Sequence, residues 1–412
     1  MTTNQTIRKL LRFKELKVTG FEFSRHGLLI LVKPYKNGCR CSKCGRRGKI
    51  LRTRAPRTWR DIPVCGWTVM LSFEPREILC RTHGRVAEQI PWTDAHARVT
   101  YRFEYLMLRY CQVMPRKAAA LLLGVSSSTL SDLLHRSVTR LREGHRIRNL
   151  RTIGIDEVSY RKRHKYATLV YDIDRARVVW ISPGKGRKTI DTFFTEVLSR
   201  YQRTQIQWAC CDMSEAYIGA IQEHCPQATL VLDRFHIVKA LQDAVDEVRK
   251  EQWRQAKGEA RHALKGLRWL LYRRSDNRSR QDTRTLKALE KGNRRIYRAW
   301  QLKDEFEQFW DYSSTHAAEA FLKSWTPSAL RSRLEPLRRF VHTLRRHQAG
   351  VLAFIDTRLT NATAEGLNRI IRMIKNRASG FRSLDAFADM IFLTVGDLDI
   401  PAQIQPRFRT LK

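Results

Sequence analysis

Thr152-Ile153-Gly154-Ile155-Asp156-Glu157-Val158 is an apolar run of strand length with an acid set into it. Apolar strands of this kind are buried, and a carboxylate there is costly unless something pairs with it. The chain around it alternates between strand and helix patterns. Strands are predicted at 152–158, 166–173, 177–182, 206–212 and 228–232, with a helix over Thr189–Tyr201 between the third and fourth. That order predicts a mixed α/β domain.

A second acid, Asp212, ends the run Gln207-Trp208-Ala209-Cys210-Cys211-Asp212. In an RNase H-like sheet the first and fourth strands are neighbours, so Asp156 and Asp212 can share a metal. The third acid is expected on a helix, and the segment from Asn361 to Lys375 supplies one. At about 100° per residue, Leu367, Ile370, Ile371 and Ile374 cluster opposite Glu365, while Asn361, Asn368 and Arg372 share its side. The helix can therefore bury its apolar stripe and aim Glu365 at the site. Three carboxylates are about the minimum charge that holds two divalent ions, Mg²⁺ or Mn²⁺, roughly 3.5–4 Å apart for phosphoryl transfer. Any one of these acids, taken alone, reads as a solvated residue or a helix cap. Their combined placement points to a catalytic site of Asp156, Asp212 and Glu365. Asp233, in Leu232-Asp233-Arg234-Phe235-His236, ends the fifth strand and starts a helix. It reads equally as a helix cap and as a supporter of the metal site with His236.

Residues 1–98 hold a different chemistry. Cys41-Ser42-Lys43-Cys44 and Cys80-Arg81-Thr82-His83 are two knuckles, each with two residues between ligands. Together they supply the four N/S ligands that one tetrahedral Zn²⁺ needs. Gly45 and Gly84 follow them, where tight turns often require positive φ. Alternation in Leu28–Val32 and Thr68–Phe73 predicts strands, with a hairpin filling the gap between knuckles. Cys39 is an alternative ligand; Cys65, Cys111, Cys210, Cys211 and Cys225 read as structural.

Residues 99–148 are predicted helical, and 115–136 carry a helix-turn-helix pattern. Gly124 permits the sharp turn, Val125, Leu130 and Leu133 pack the second helix on the first, and Ser126 or Ser127 caps it. The short polar side chains from Ser126 to Asp132 suit a major groove. An ordinary helical hairpin is the competing reading. Lys plus Arg is 78 and Asp plus Glu 40, a formal net charge of +38. Excess basicity on this scale implies a polyanion, foremost nucleic acid. No apolar run is long enough to span a bilayer and no secretory signal opens the chain, so a cytoplasmic, nucleoid-associated protein with reduced cysteines is expected.

The predicted architecture is multidomain α+β. It comprises an N-terminal zinc-binding domain (1–98), a helix-turn-helix DNA-binding domain (99–148) and an RNase H-like α/β catalytic domain (149–236 and 351–400). A helical insertion (237–350) interrupts the last of these. Its Trp253, Trp269, Trp300, Trp310 and Trp325 read as helical core rather than as base-stacking platforms. The basic stretch Arg273–Arg298 is the best candidate for a mobile loop.

At these residues the chain resembles transposases of the ISL-three insertion-sequence family. The likeness runs from Cys80-Arg81-Thr82-His83-Gly84 and Ile90-Pro91-Trp92 through the helix-turn-helix, Gly154-Ile155-Asp156-Glu157, Cys211–Tyr217 and Asp233–His236. It ends at Ala364-Glu365-Gly366-Leu367-Asn368 and Arg377–Phe381. The resemblance implies a DDE catalytic domain with Asp156, Asp212 and Glu365 as its triad, a zinc-binding domain and recognition of terminal inverted repeats. It also implies double-stranded DNA, repeat and target, as partner, and a homo-oligomer on paired ends. The second knuckle departs from relatives that use a later cysteine in place of His83. A catalytically silent DNA-binding repressor or domesticated relative is the alternative; retention of all three acids argues against it. A structure-specific nuclease on the same fold needs no reader of terminal repeats.

Overall fold

The computed structural model describes residues 2–11, 16–25, 27–34, 39–95, 97–144, 147–161, 165–359 and 362–400. The chain forms two compact units, Met1–His145 with Leu398–Lys412, and Arg146–Asp397. Among the described residues no helix is long and apolar enough to cross a membrane.

The first unit opens with helix α1 (Thr3–Leu10) and seven strands: β1 (Leu16–Ser24), β2 (Gly27–Pro34), β3 (Lys49–Thr53), β4 (Arg57–Val64), β5 (Trp67–Phe73), β6 (Arg76–Cys80) and β7 (Gly84–Ala87). They make a four-stranded sheet in the order β1-β2-β5-β4 and a three-stranded sheet β3-β6-β7. Period-two alternation decides which side chains face inward. Leu28, Ile30 and Val32 of β2 and Val69, Leu71 and Phe73 of β5 are buried, and they pack with Trp59 and Trp92. The gap between the two knuckles thus holds the β4–β5 hairpin and parts of both sheets, more than a single hairpin.

Three helices follow: α2 (Tyr101–Val113), α3 (Arg116–Leu123) and α4 (Ser127–Glu143). Gly124 ends α3 in the left-handed conformation at φ 58°, which a Cβ would strain. Ser126 then caps α4, its hydroxyl accepting from the Thr129 N–H at 3.0 Å. Leu130 and Leu133 are buried as expected, while Val125 is half-buried. Glu104 of α2 is fully buried and accepts from Arg136 (2.5 Å), Arg140 (2.7 Å) and Ser137 (3.2 Å) of α4. Arg60 of β4 donates to the carbonyls of Leu123 (2.6 Å) and Gly124 (2.8 Å), satisfying the C-terminal end of α3.

The second unit is built on β8 (Thr152–Arg161), β9 (Lys165–Asp172), β10 (Arg177–Pro183), β11 (Trp208–Cys211) and β12 (Thr229–Leu232). Their order in the sheet is β10-β9-β8-β11-β12. β9 is antiparallel to β8 and β10, whereas β8, β11 and β12 run parallel. All five predicted strands are present. The single helix expected over Thr189–Tyr201 is not. It is broken into α5 (Arg187–Thr192), a π-turn over Phe193–Val197 and α6 (Arg200–Thr204). Leu198 turns to extended geometry, and Ser199 restarts the helix with a capping box to Gln202.

Helices α7 (Glu215–His224) and α8 (Arg234–Gln255) flank β12 in sequence. The helical segment continues through α9 (Gly258–Gly266), α10 (Arg268–Tyr272), α11 (Arg280–Gly292), α12 (Arg294–Glu307), α13 (Thr315–Arg331), α14 (Glu335–Arg346) and α15 (Gln348–Thr357). The chain then enters α16 (Ala362–Arg377) and α17 (Leu384–Val395). The stretch Arg273–Arg298 is therefore largely helical, not a loop. Ser279 caps α11 with a capping box to Asp282, and Leu286 buries its apolar face. Trp310 and Trp325 lie in the core, and Trp253 and Trp300 pack against it; Trp269 is exposed. Gly350 lets α15 approach β12, since a Cβ there would lie 2.8 Å from Leu232 Cγ.

Candidate active site and metal cluster

Sheet register decides where the two strand acids stand. Cys210 of β11 is level with Gly154 of β8, so continuing two residues along these parallel strands brings Asp212 level with Asp156. Cys211 is level with Leu232 of β12, so one further residue brings Asp233 into the same row. Neighbouring strands lie about 4.8 Å apart, and the row sits at the carboxyl end of β11 and β12, where open α/β sheets bind ligands.

Burial lifts the Asp156 carboxyl above the ordinary carboxylate range. The Glu157 N–H and His236 pull it back, and the nearby Asp212 pushes it further up. Asp156 Oδ1 accepts from the Glu157 N–H at 2.7 Å, and Oδ2 accepts from Asn368 Nδ2 at 2.6 Å. Asp212 Oδ1 accepts from the Ser214 N–H at 3.0 Å. Among the described residues no Lys or Arg forms an ion pair with Asp156, Asp212 or Glu365. Alternation sends Glu157 to the opposite face of the sheet from Asp156. There it accepts from Tyr217 of α7 at 3.1 Å, and burial raises its carboxyl as well.

Asp233 caps α8, accepting the Phe235 N–H at 3.0 Å, so the capping reading holds. His236 Nε2 lies 3.8 Å from Asp233 Oδ2.

Glu365 stands in the first turn of α16 and is exposed. Leu367, Ile371 and Ile374 bury the helix's apolar stripe, with Ile370 half-buried; Asn361 lies outside the described residues. Three residues beyond Glu365, Asn368 ties the helix to Asp156. Among the described residues the three acids do not form a group with all ligand atoms within 4.8 Å of one another. Asp156 and Asp212 stand on and just after neighbouring parallel strands, and the helix of Glu365 is tied to Asp156. Tyr171, which donates to Asn368 Oδ1 at 2.6 Å, went unread in the sequence.

The cysteine knuckles do form such a group. The ligand atoms of Cys41, Cys44, Cys80 and His83 all lie within 4.8 Å of one another. Three edges are 3.7 Å: Cys41 Sγ–His83 Nδ1, Cys80 Sγ–His83 Nδ1 and Cys44 Sγ–Cys80 Sγ. A tetrahedron with metal–sulfur bonds of about 2.3 Å has edges of about 3.8 Å. The cluster therefore has the dimensions to hold one zinc ion. Gly45 and Gly84 take φ 69° and 63°, the positive values the knuckle turns need. Cys39 is buried beside the cluster, outside the ligand group, and accepts no place in it. Cys65 is exposed in a turn; Cys111, Cys210, Cys211 and Cys225 are buried.

Comparison with known proteins gives the family. A family model of the ISL3 type described as a transposase matches residues 153–391, more than half the chain. The chain belongs to the ISL3 family of transposases. A second model, the helix-turn-helix domain of transposase family ISL3, matches residues 88–138, which contain α2, α3 and most of α4. The transposase for insertion sequence element IS1001 of Bordetella parapertussis is 32% identical over 367 residues, 87% of this chain and 89% of that protein. The transposase for IS1557 of Mycobacterium tuberculosis is 28% identical over 381 residues, 86% of this chain and 85% of its own. Among solved structures, the Drosophila P element transposase strand transfer complex aligns with a TM-score of 0.36 and 9% identity, over 73% of this chain and 92% of that one.

Proposed function

We propose that this ISL3 transposase binds the terminal inverted repeats of an insertion sequence and cuts and joins DNA strands at Asp156, Asp212 and Glu365, on an RNase H-like sheet. The observation that carries this reading is the row of acids. Asp156 lies on β8 and Asp212 directly follows the neighbouring parallel strand β11, two residues past the last paired position. Neither acid forms an ion pair with Lys or Arg among the described residues, and Asn368 ties the helix of Glu365 to Asp156. The strand order, with one antiparallel pair of strands on β8 and two parallel strands on its other side, supports the RNase H-like assignment.

The donor set fits hard divalent cations, since all three side chains offer oxygen alone. Two Mg²⁺ or Mn²⁺ ions, when bound, supply a Lewis acid for the scissile phosphate and a lowered pKa for the attacking hydroxyl. The protein's own part is placement. β8 and β11 fix two carboxylates at strand spacing, the Glu157 N–H and Asn368 orient Asp156, and α16 carries Glu365. Asp233 holds the start of α8 and, with His236, supports the same row from β12.

Cys41, Cys44, Cys80 and His83 hold a structural zinc ion in this reading, which contributes folding energy to the N-terminal sheets. The N-terminal part of α4, with Ser126, Ser127, Ser128 and Thr129 exposed, enters a major groove of the repeat. Paired ends call for at least two copies of the chain, working on DNA in the cytoplasm. The proposed domain limits are those of the sequence reading, 1–98, 99–148, and 149–236 with 351–400 around the insertion 237–350.

Cleavage of a labelled terminal-repeat duplex tests the reading. Asp156→Ala, Asp212→Ala and Glu365→Ala should each abolish cutting and joining while the gel shift on the same duplex stays close to wild type. Near-normal cutting by any one removes that residue from the triad, and for Asp212 the substitute to try is Asp233.

A further inference from the structure

The helix that bears Glu365 meets the strand that bears Asp156 at one buried amide. Asn368 Nδ2 donates to Asp156 Oδ2 at 2.6 Å, and Asn368 Oδ1 accepts from the Tyr171 hydroxyl at 2.6 Å. Asn368 is 7% exposed and Tyr171 fully buried. Tyr171 belongs to β9 and stands opposite Gly154 of β8, two residues before Asp156, so Tyr171 and Asp156 share a face of the sheet. No reading of the sequence gives either residue a role in the reaction.

We propose that Asn368 is a positioning residue of the strand-cutting reaction, holding the Asp156 carboxylate and the rotation of Glu365's helix together, with Tyr171 fixing the direction of its amide. This rests on the assignment of Asp156 and Glu365 made above. The chemistry allows only one polarity. An ionised carboxylate can only accept, so the amide must turn Nδ2 toward Asp156 and Oδ1 toward Tyr171. Tyr171 must then donate, and burial pushes its hydroxyl pKa well above 10, which keeps the proton on.

The bond acts on both acids. One Asp156 oxygen is fixed by the Glu157 N–H and the other by Asn368, so the carboxylate cannot rotate without breaking a part-buried hydrogen bond. Asn368 lies three residues after Glu365, about 60° around the helix from it. Fixing Asn368 therefore fixes the direction in which Glu365 leaves α16. Lys375 makes a second tie to β8, donating to the Ser159 carbonyl. With α16 held at two points about two turns apart, loss of Asn368 should loosen the end that carries Glu365 and leave the other docked. Partners that orient metal-binding carboxylates are typically worth about 10–100-fold in metal affinity or activity.

The test is single-turnover cleavage of a labelled terminal-repeat duplex by the full-length protein across a Mg²⁺ titration. Asn368→Ala, Tyr171→Phe and Asp156→Ala are compared, with gel shifts in EDTA and melting temperatures on the same preparations. Asn368→Ala should raise the Mg²⁺ concentration for half-maximal cutting by roughly 10-fold or more, with DNA affinity in EDTA unchanged. Tyr171→Phe, nearly isosteric, should move it the same way by a smaller factor. A wild-type Mg²⁺ requirement in Asn368→Ala overturns the proposal, even if the rate falls. If Asn368→Ala does not fold, Tyr171→Phe decides by the same criterion. Cutting by Asp156→Ala at the wild-type rate marks a different failure, that of the catalytic assignment itself.

Discussion

At the residue scale two sets of acids are held in opposite ways. Glu104 is buried between two arginines, whereas Asp156 and Asp212 have no such partner among the described residues. The first arrangement is self-sufficient and holds α2 against α4. Removing one member of a buried ion pair leaves the others with unmatched charge and typically costs 3–5 kcal/mol. Arg136 and Arg140 remain partly in water and keep Asp94 as a second partner, so Glu104→Ala should cost about 3 kcal/mol, the low end of that range. Urea unfolding followed by far-UV circular dichroism measures it, and a loss below about 1 kcal/mol would show the cluster to be a surface network. The two strand acids of the proposed site were legible because Asp156 interrupts and Asp212 ends an apolar strand, where a carboxylate has no structural reason to be; Glu365 was legible only from the polar face of its helix. Asn368 was legible only as a neighbour of Glu365 on the helix. Its partners, Asp156 and Tyr171, are about two hundred residues away in sequence, and a polar side chain gives no local sign of so distant a bond. Glu104 was not singled out at all, because a lone Glu in an amphipathic helix looks solvated until the second helix is docked on it.

At the element scale local chemistry was most readable where one residue type determines a turn. Gly124 and Ser126 mark the helix-turn-helix, and Gly45 and Gly84 the knuckles, through left-handed φ or a cap. The errors have the opposite origin. The pattern over Thr189–Tyr201 is amphipathic and reads as one helix, and the break comes from Ser199 restarting the helix, a cap hidden in a continuous run. Arg273–Arg298 looked loop-like because its charge outweighs its few apolar residues, yet Leu286 is enough to seat α11. The knuckles lead to a prediction at this scale. The purified full-length protein should contain one zinc ion per chain by elemental analysis. Cys41→Ser with Cys44→Ser should remove it and make the N-terminal sheets more sensitive to proteolysis, because β3, β6 and β7 bury few apolar side chains of their own. A double variant that keeps a full equivalent of zinc rejects these ligands.

At the scale of the whole molecule, the helical segment after α8 is part of the fold and not an appendage to it. One continuous core runs from Ile153, Ile155 and Val231 of the sheet through Val245 and Leu302 to Phe306, Trp325 and Phe340. Phe306 lies 4.8 Å from Trp325 and 5.7 Å from Phe340, ring centre to ring centre, in the middle of that cluster. The chain leaves the sheet after Asp233, returns to β12 with α15 and then reaches Glu365 on α16, so the helical segment joins two parts of one proposed site. The sequence showed the insertion's helices and the charge of +38 that draws the chain to DNA. It could not show the shared core, because helical periodicity reveals which face is apolar and says nothing about what covers it. The proposed chemistry requires Asp156, Asp212 and Glu365 to hold divalent ions together. Anomalous diffraction from crystals grown with Mn²⁺ and a terminal-repeat duplex measures this directly. Manganese peaks bonded to oxygens of all three side chains are expected. Manganese held by Asp156 and Asp212 with Asp233 in place of Glu365, or found away from this row altogether, would contradict it.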